Sequence, residues 1–271
     1  PATTMVHENG LERCRRLCGS GRLPGHCEAG QRLWCRGTYK LKNDAELEAF
    51  YAELPDTSYI MEEFINGTIV SFDGVADSHC VPLFYTSNVF PTPLLDIVSQ
   101  NGDLSYWTQK SVPATLKDVG FRTIKAFGAK SRFFHCEFFQ LNEDKPGLGK
   151  KGDYVALEVN MRPAGGYTPD MINYANSVDC YQIWADMVCY DEVRNAELDG
   201  PKYFCVYAGR RDCHEYKHTM RRSWPSTAPV CGCVSAFPRR CAWTWATGCT
   251  RPLCAPPRSA MRLFGTCQEQ A

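Results

Sequence analysis

The chain alternates between stretches with a clear hydrophobic period and stretches with none. In NDAELEAFYAEL, Leu47, Phe50, Tyr51 and Leu54 recur at helical spacing behind Asn43 or Asp44, either of which can cap the first turn, so an amphipathic helix is expected. SYIMEEFING reads as a strand running into an Asn-Gly turn, and TIVSFDGVAD as a second strand closed by Asp-Gly; a hairpin or a crossing between subdomains satisfies both. A second helix is expected in ATLKDVGFRTIKAFGA, with Leu116, Val119, Ile124 and Phe127 on one side and Gly120 as its weak point. RFFHCEFFQL and DYVALEVNMR are strands joined by the polar, glycine-containing NEDKPGLGKKG. DMINYANSVDCYQIWADMV is a single long helical candidate, and KYFCVYAGRR a further strand. From Thr38 to about His218 the pattern is that of a folded protein.

The two flanks differ. RLPGHCEAGQRLWCRG, residues 22–37, has no helix or strand period, and the tail has the same look. Of sixteen cysteines, Cys14, Cys18, Cys27 and Cys35 lie in the head and Cys231, Cys233, Cys241, Cys249, Cys254 and Cys267 in the tail. Many cysteines usually mean a secreted disulfide scaffold, but here the excess belongs to the flanks. Cys14/Cys18 and Cys231/Cys233 also lack the repeated short spacing that lets four thiolates converge on one zinc ion.

Composition narrows the partners. A 44% hydrophobic content supports a real core, and thirty basic against thirty acidic residues leave no net field to favour nucleic acid or an anionic membrane. No run of about 18 apolar residues occurs, and PATTMVHENG lacks the basic start and apolar stretch of a secretory signal. A cytoplasmic protein acting on neither nucleic acid nor membrane is expected; its oligomeric state is not legible.

The chemistry concentrates on two strands. Alternate side chains of a strand share a face, which puts Val155, Leu157, Val159 and Met161 on one side and Glu158, Asn160 and Arg162 on the other. In RFFHCEFFQL, Glu137 shares a face with His135 between large aromatics. If the strands pair as a hairpin with Leu141 opposite Tyr154, Glu137 falls opposite Glu158, with Cβ atoms about 4.5 to 5.5 Å apart. Two ionised carboxylates that close repel, and a divalent cation between them is the physical remedy. An oxygen set of Glu137, Glu158 and the Asn160 amide suits Mg²⁺ or Mn²⁺ completed by water and phosphate oxygens. The plainer alternative is a solvated face with a surface Glu158–Arg162 ion pair. Downstream, RPAGGYTPDM offers two glycines for close backbone approach, or a simple turn before a helix, and Arg162 is a planar fork suited to carboxylate or phosphate.

Taken in order, MEEFINGTIVSFDG, FHCEFFQL and LEVNMRPAGGYTPDM resemble the ATP-grasp superfamily of carboxylate-amine and carboxylate-thiol ligases, which includes biotin carboxylase and carbamoyl phosphate synthase. The resemblance covers Thr38 to about His218. It implies the ATP-grasp fold: two α+β subdomains clasping ATP, with an antiparallel sheet in the larger one. Met61, Glu62, Glu63, Phe64 and Ile65 match the hinge strand whose backbone reads the adenine edge. Glu137 and Glu158 match the two magnesium-binding glutamates, and Asn160 the amide ligand. Arg162 matches the arginine that stabilises the acyl-phosphate transition state, and Lys110 in YWTQKSVP resembles a basic residue near phosphates and substrate. The implied reaction uses ATP to phosphorylate a small-molecule carboxylate, giving an acyl phosphate that an amine or other nucleophile attacks. NGTIVSF after Ile65 lacks the ribose-binding glutamate of many relatives.

The family also carries a strand ending in lysine and a glycine-rich loop over the phosphates, just before the helix at NDAELEAFYAEL. Glu28 and Ala29 stand where that lysine belongs. DNA that encodes RLPGHCEAGQRLWCRG can, read one base later, encode GYPVIVKPDNGCGAG: a buried strand, a lysine and a glycine loop. In the opposite shift, DNA for MRRSWPSTAPVCGC permits HEEILAVYGARVRM without a stop. Residues 1–37 are therefore read as an out-of-frame remnant of the phosphate-binding strand and loop, 38–66 as the end of the small subdomain and the hinge, 67–219 as the large subdomain, and 220–271 as an out-of-frame tail. On this reading the chain as written binds ATP feebly; a non-catalytic scaffold or decayed gene product that keeps the fold is the alternative.

Overall fold

The computed structural model describes residues 3–6, 25–29, 39–54, 59–93, 97, 101–211, 214–217, 235–236 and 249–255. The described chain divides into two compact units, one of residues 1–67 with 143–150 and the other of 68–142 with 151–271.

The first unit holds a four-stranded antiparallel sheet, ordered β1 (Thr3–Val6), β4 (Tyr59–Glu63), β2 (Gly25–Ala29), β3 (Tyr39–Leu41). Helix α1 (Asp44–Ala52) belongs to it. Of the two candidate caps, Asn43 is the one used: its Oδ1 accepts from the Glu46 amide at 2.9 Å, and Glu46 Oε2 accepts from the Lys42 amide at 2.7 Å. Leu47 and Phe50 are buried, and the Phe50 ring meets Tyr59 edge-on at 5.2 Å. The backbone of Gly25–Ala29 occupies a strand position, with Glu28 facing Ile60 and Ala29 facing Tyr59 in register.

In the second unit nine strands form one sheet, with the described path β10-β9-β5-β7-β8-β11-β13-β12 and β6 against β5. These strands are β5 (Gly67–Ala76), β6 (Pro82–Thr86), β7 (Asn88–Phe90), β8 (Ser105–Thr108), β9 (Arg132–Leu141), β10 (Tyr154–Asn160), β11 (Phe204–Gly209), β12 (Ser235–Ala236) and β13 (Cys249–Ala255). Every named pairing is antiparallel. Because β4 and β5 lie in different sheets, the Asn-Gly segment is a crossing rather than a hairpin. The second expected stop is overturned: β5 runs through Asp73 and Gly74 to Ala76. Gly74 serves close approach there, since a Cβ would stand 2.0 Å from the Phe84 carbonyl oxygen.

Helix α2 (Ala114–Ala126) covers one face of this sheet with Leu116, Gly120 and Ile124 buried against Phe72, Phe134, Cys136 and Phe138. Phe127, expected on that buried side, lies one residue past the helix and is exposed. Gly120 marks a tight contact: a Cβ would meet the buried Phe72 ring at 2.5 Å. Alanine there gains about 1 kcal/mol of helix propensity but overpacks a ring with no room to move, which costs about 1–3 kcal/mol. Gly120→Ala is therefore expected to lower stability in urea unfolding, against the direction propensity alone gives.

On the other face, where one long helix was expected, the described residues form two. α3 (Thr168–Asn176) ends at Ser177, whose φ of 54° is left-handed, and α4 (Cys180–Tyr190) restarts on Asp179, which accepts from the Tyr181 and Gln182 amides. The apolar period runs through both helices, so periodicity alone could not show the break. Met171 and Ala175 pack with Tyr106, Cys205 and Tyr207, while Ile172, Ile183 and Met187 pack with Val75 and Phe84. Among the described residues no helix is long and apolar enough to cross a membrane.

Candidate functional site

The hairpin of β9 and β10 carries the acidic pair. Its register begins one residue away from expectation, with Tyr154 opposite Gln140, but shifts between Ala156 and Glu158, leaving Leu157 unpaired. Beyond that bulge Glu158 faces Glu137 and Asn160 faces His135. The bulge also corrects the expected faces. Tyr154, Val159 and Met161 pack on the α2 side, so Val155 does not share that core with Val159 and Met161 as simple alternation requires. The donor chemistry of Glu137, Glu158 and Asn160 fits a hard divalent cation: two carboxylates, an amide oxygen and places left for water or phosphate. Among the described residues no cluster of three or more His, Cys, Asp or Glu side chains could hold a metal alone.

Arg162 lies beyond the end of β10, exposed, with Nη1 donating to its neighbour's carbonyl, Pro163 O, at 2.9 Å. Pro163 and Ala164 line a small cavity with Asp73, Gly74, Phe133 and Pro169, which sets the RPAGG segment over the middle of β5. The expected close backbone approach at Gly165 and Gly166 is not made to the protein: an added Cβ at either meets nothing within 4 Å, and Gly166 is needed for its φ of +60°. Lys110 is exposed just past β8, where Gln109 ties the strand end to Ser87 through a backbone bond of 2.8 Å and a side-chain bond of 2.9 Å.

In the first unit, Met61 and Glu63 of β4 are buried, Glu62 is half-buried, and Phe64 and Ile65 follow the strand. Lys145 reaches this segment: its Nζ donates to the Phe64 carbonyl at 2.9 Å and lies 3.1 Å from Glu63 Oε1. Lys40 Nζ sits 3.8 Å from the centroid of the Phe64 ring. Sequence reasoning left Lys145 in a polar connection. No period marks it, and only the folding of 143–150 with the first unit brings it to the end of β4.

A buried polar network in the second unit was also missed. His135 Nδ1 lies 2.5 Å from Asp73 Oδ1, and its Nε2 lies 3.3 Å from Glu137 Oε1. Asp73 Oδ2 accepts from the Ser71 hydroxyl and from Asn88 Nδ2, the latter at 2.8 Å, and Asn88 Oδ1 accepts from Thr108 at 2.7 Å. All of these except Glu137 are nearly sealed from water. Burial pulls the His135 pKa down, but the Asp73 carboxylate and its hydrogen bond, followed by Glu137, outweigh that and raise it to about 10. The ring is thus an imidazolium, since both nitrogens must donate to face two carboxylates. Burial pushes the neighbouring Cys136 thiol up to about 12, leaving it an inert core residue.

No protein-family model matches the chain, and no curated protein matches it by sequence. Solved structures do. The biotin carboxylase domain of 2-oxoglutarate carboxylase from Hydrogenobacter thermophilus, determined with MgADP and bicarbonate, superposes with a TM-score of 0.65 at 13% identity over 100% of this chain and 63% of that one. Carboxyaminoimidazole ribonucleotide synthase from Aspergillus clavatus, complexed with ATP, gives 0.65 at 10% identity, over 97% and 66%. Phosphoribosylglycinamide synthetase from Anaerococcus prevotii gives 0.59 at 12% identity, over 99% and 69%. The chain therefore spans about two thirds of the length of these proteins, and at such identities the likeness concerns the fold, which is the ATP-grasp fold.

Proposed function

From an ATP-grasp fold, we propose that the chain is an ATP-grasp ligase domain that binds ATP with Mg²⁺ or Mn²⁺ and activates a small-molecule carboxylate as an acyl phosphate for attack by an amine or other nucleophile. The observation that carries this reading is the register of Glu137 against Glu158 beyond the bulge, with Asn160 next along the strand. Glu137, Glu158 and Asn160 would hold the cation, whose chemistry is to neutralise phosphate charge as it develops. Met61 to Ile65 supply backbone groups for the adenine edge. Arg162 and Lys110, both exposed, stabilise the carboxylate and phosphates; in such a reaction positioning and charge neutralisation do most of the catalysis. The proposed setting is cytoplasmic, with no nucleic acid or membrane partner.

Residues 1–37 and 220–271 are proposed to be out-of-frame translation, so that the chain as written holds nucleotide weakly. The test is ATP-dependent phosphate release by a protein in which both segments are restored to the alternative frame. Removing one charge-organising group from such a site costs about 10²–10³ in kcat, so Glu158→Ala is expected to lower release at least a hundredfold. Restored protein that releases no phosphate, or release indifferent to Glu158→Ala, overturns the ligase reading. A non-catalytic scaffold is the second reading, favoured by Glu28 standing in β2 where a phosphate-binding lysine belongs; tight ATP binding by the chain as written would count against the missing clamp.

A further inference from the structure

The Glu137 carboxylate is held by a protein side chain. It is the least enclosed member of the polar network, with 15% of its side chain exposed against 10% for His135 and 3% for Asp73. Its contact among the described residues is His135 Nε2, on the same strand two residues earlier, so both side chains project from one face of β9. The far side of the imidazole is fixed in turn by Asp73 on β5, and Asp73 by Ser71 and Asn88. Orientation thus passes inward from a half-buried carboxylate to a strand in the middle of the sheet.

We propose that His135, clamped by Asp73, is a positioning residue that aims the Glu137 carboxylate for the divalent cation. This rests on the metal reading of Glu137 and Glu158 given above. The arrangement is a carboxylate–imidazole–carboxylate chain in which the inner acid sets the ring and the ring sets the outer acid. Partners of this kind fix the direction of a ligand, and their loss costs about 10–100-fold in metal affinity. With Nδ1 taken up by Asp73, the ring presents Nε2 to Glu137 as a directed partner at 3.3 Å. Without it the Glu137 carboxylate loses its contact among the described residues and turns toward water, widening the spacing from Glu158.

The probe is Mn²⁺ alone, titrated into the chain as written and followed by the loss of the free-ion electron paramagnetic resonance signal. Asp73→Asn is combined with either His135→Leu or His135→Gln, so that neither variant strands a buried charge and the two differ in whether position 135 can still donate to Glu137. The leucine combination is expected to bind Mn²⁺ at least about tenfold more weakly than wild type, and the glutamine combination to stay within about threefold of it. Equal affinity in the two overturns the positioning role. Glu158→Gln separates this from the underlying reading: if Mn²⁺ binding is absent in the wild type or indifferent to Glu158→Gln, the metal reading falls and takes His135 with it, whereas binding lost in Glu158→Gln but equal in the two combinations removes His135 alone. Should the leucine combination fail to fold, the downfield His135 Nε2–H proton resonance of the wild type decides. It is expected to shift when Mg²⁺ is added and to vanish or move upfield in Glu137→Gln; a resonance unmoved by both overturns the proposal.

Discussion

Asp73→Ala is expected to lower the unfolding free energy by about 3–5 kcal/mol, the usual cost of removing one partner from a buried ion pair. The carboxylate is 2% exposed and serves three donors at once: His135, Ser71 and Asn88. Its removal leaves the His135 ring facing Glu137 alone. It also leaves Asn88 Nδ2 with only the 3.2 Å contact to Ser71. The ring can escape by losing its proton, but one nitrogen then presents a lone pair to a carboxylate or to an apolar wall, so some of the penalty remains whichever form it adopts. Asp73→Asn keeps the volume and one acceptor and is expected to lose roughly half as much. Urea unfolding of the three proteins measures this; a loss under about 1 kcal/mol in Asp73→Ala would show that the network is not a stabilising one.

Gly74→Ala is expected to be damaging on the same scale, by a different route. An alanine Cβ would lie 2.0 Å from the Phe84 carbonyl oxygen and 2.6 Å from the Phe134 ring. A ring can tilt, but the oxygen belongs to β6, which pairs with β5 at this point, Gly74 opposite Tyr85 and Val75 opposite Phe84. Relief therefore means parting two strands. Overpacking in cores costs about 1–3 kcal/mol and occasionally more; with backbone as the obstacle the upper end is expected, about 3 kcal/mol or greater, read as loss of soluble protein or a lowered urea midpoint. Gly74→Ala protein as stable as wild type would mean that β5 and β6 separate cheaply.

Part of this was legible in the sequence. The facing of Glu137 and Glu158 was reached, but through a register one residue off at Tyr154 that the unpaired Leu157 makes good, and a bulge leaves no mark in the alternation. The crossing after Ile65 was left open between two geometries, and the sheet order decides it. What could not be read was assembled from far apart. Residues 71, 73, 88, 108 and 135 form one network only because β9 lies beside β5, β5 beside β7, and β7 beside β8. Each residue alone is an ordinary polar position in a strand. The break at Ser177 was hidden for a local reason, since helical phase continues across a left-handed residue whose neighbours keep the same apolar spacing. The short strands β6 to β8, of three to five residues, are too brief for two-residue alternation to stand out.

The unpaired Leu157 has a further meaning. A ladder without it would carry the upstream register through to the end of β10, placing Leu157 against Glu137 and turning Glu158 toward the apolar layer beneath α2. With it, the two halves of the strand are out of phase and answer to separate demands: upstream to the hydrophobic layer, downstream to the acidic row. Such a joint also insulates. A one-residue contraction in the connection between the strands can be absorbed by closing the bulge, with Glu158 still facing Glu137. The length of that connection is thereby free to drift in a way that a continuous ladder would forbid.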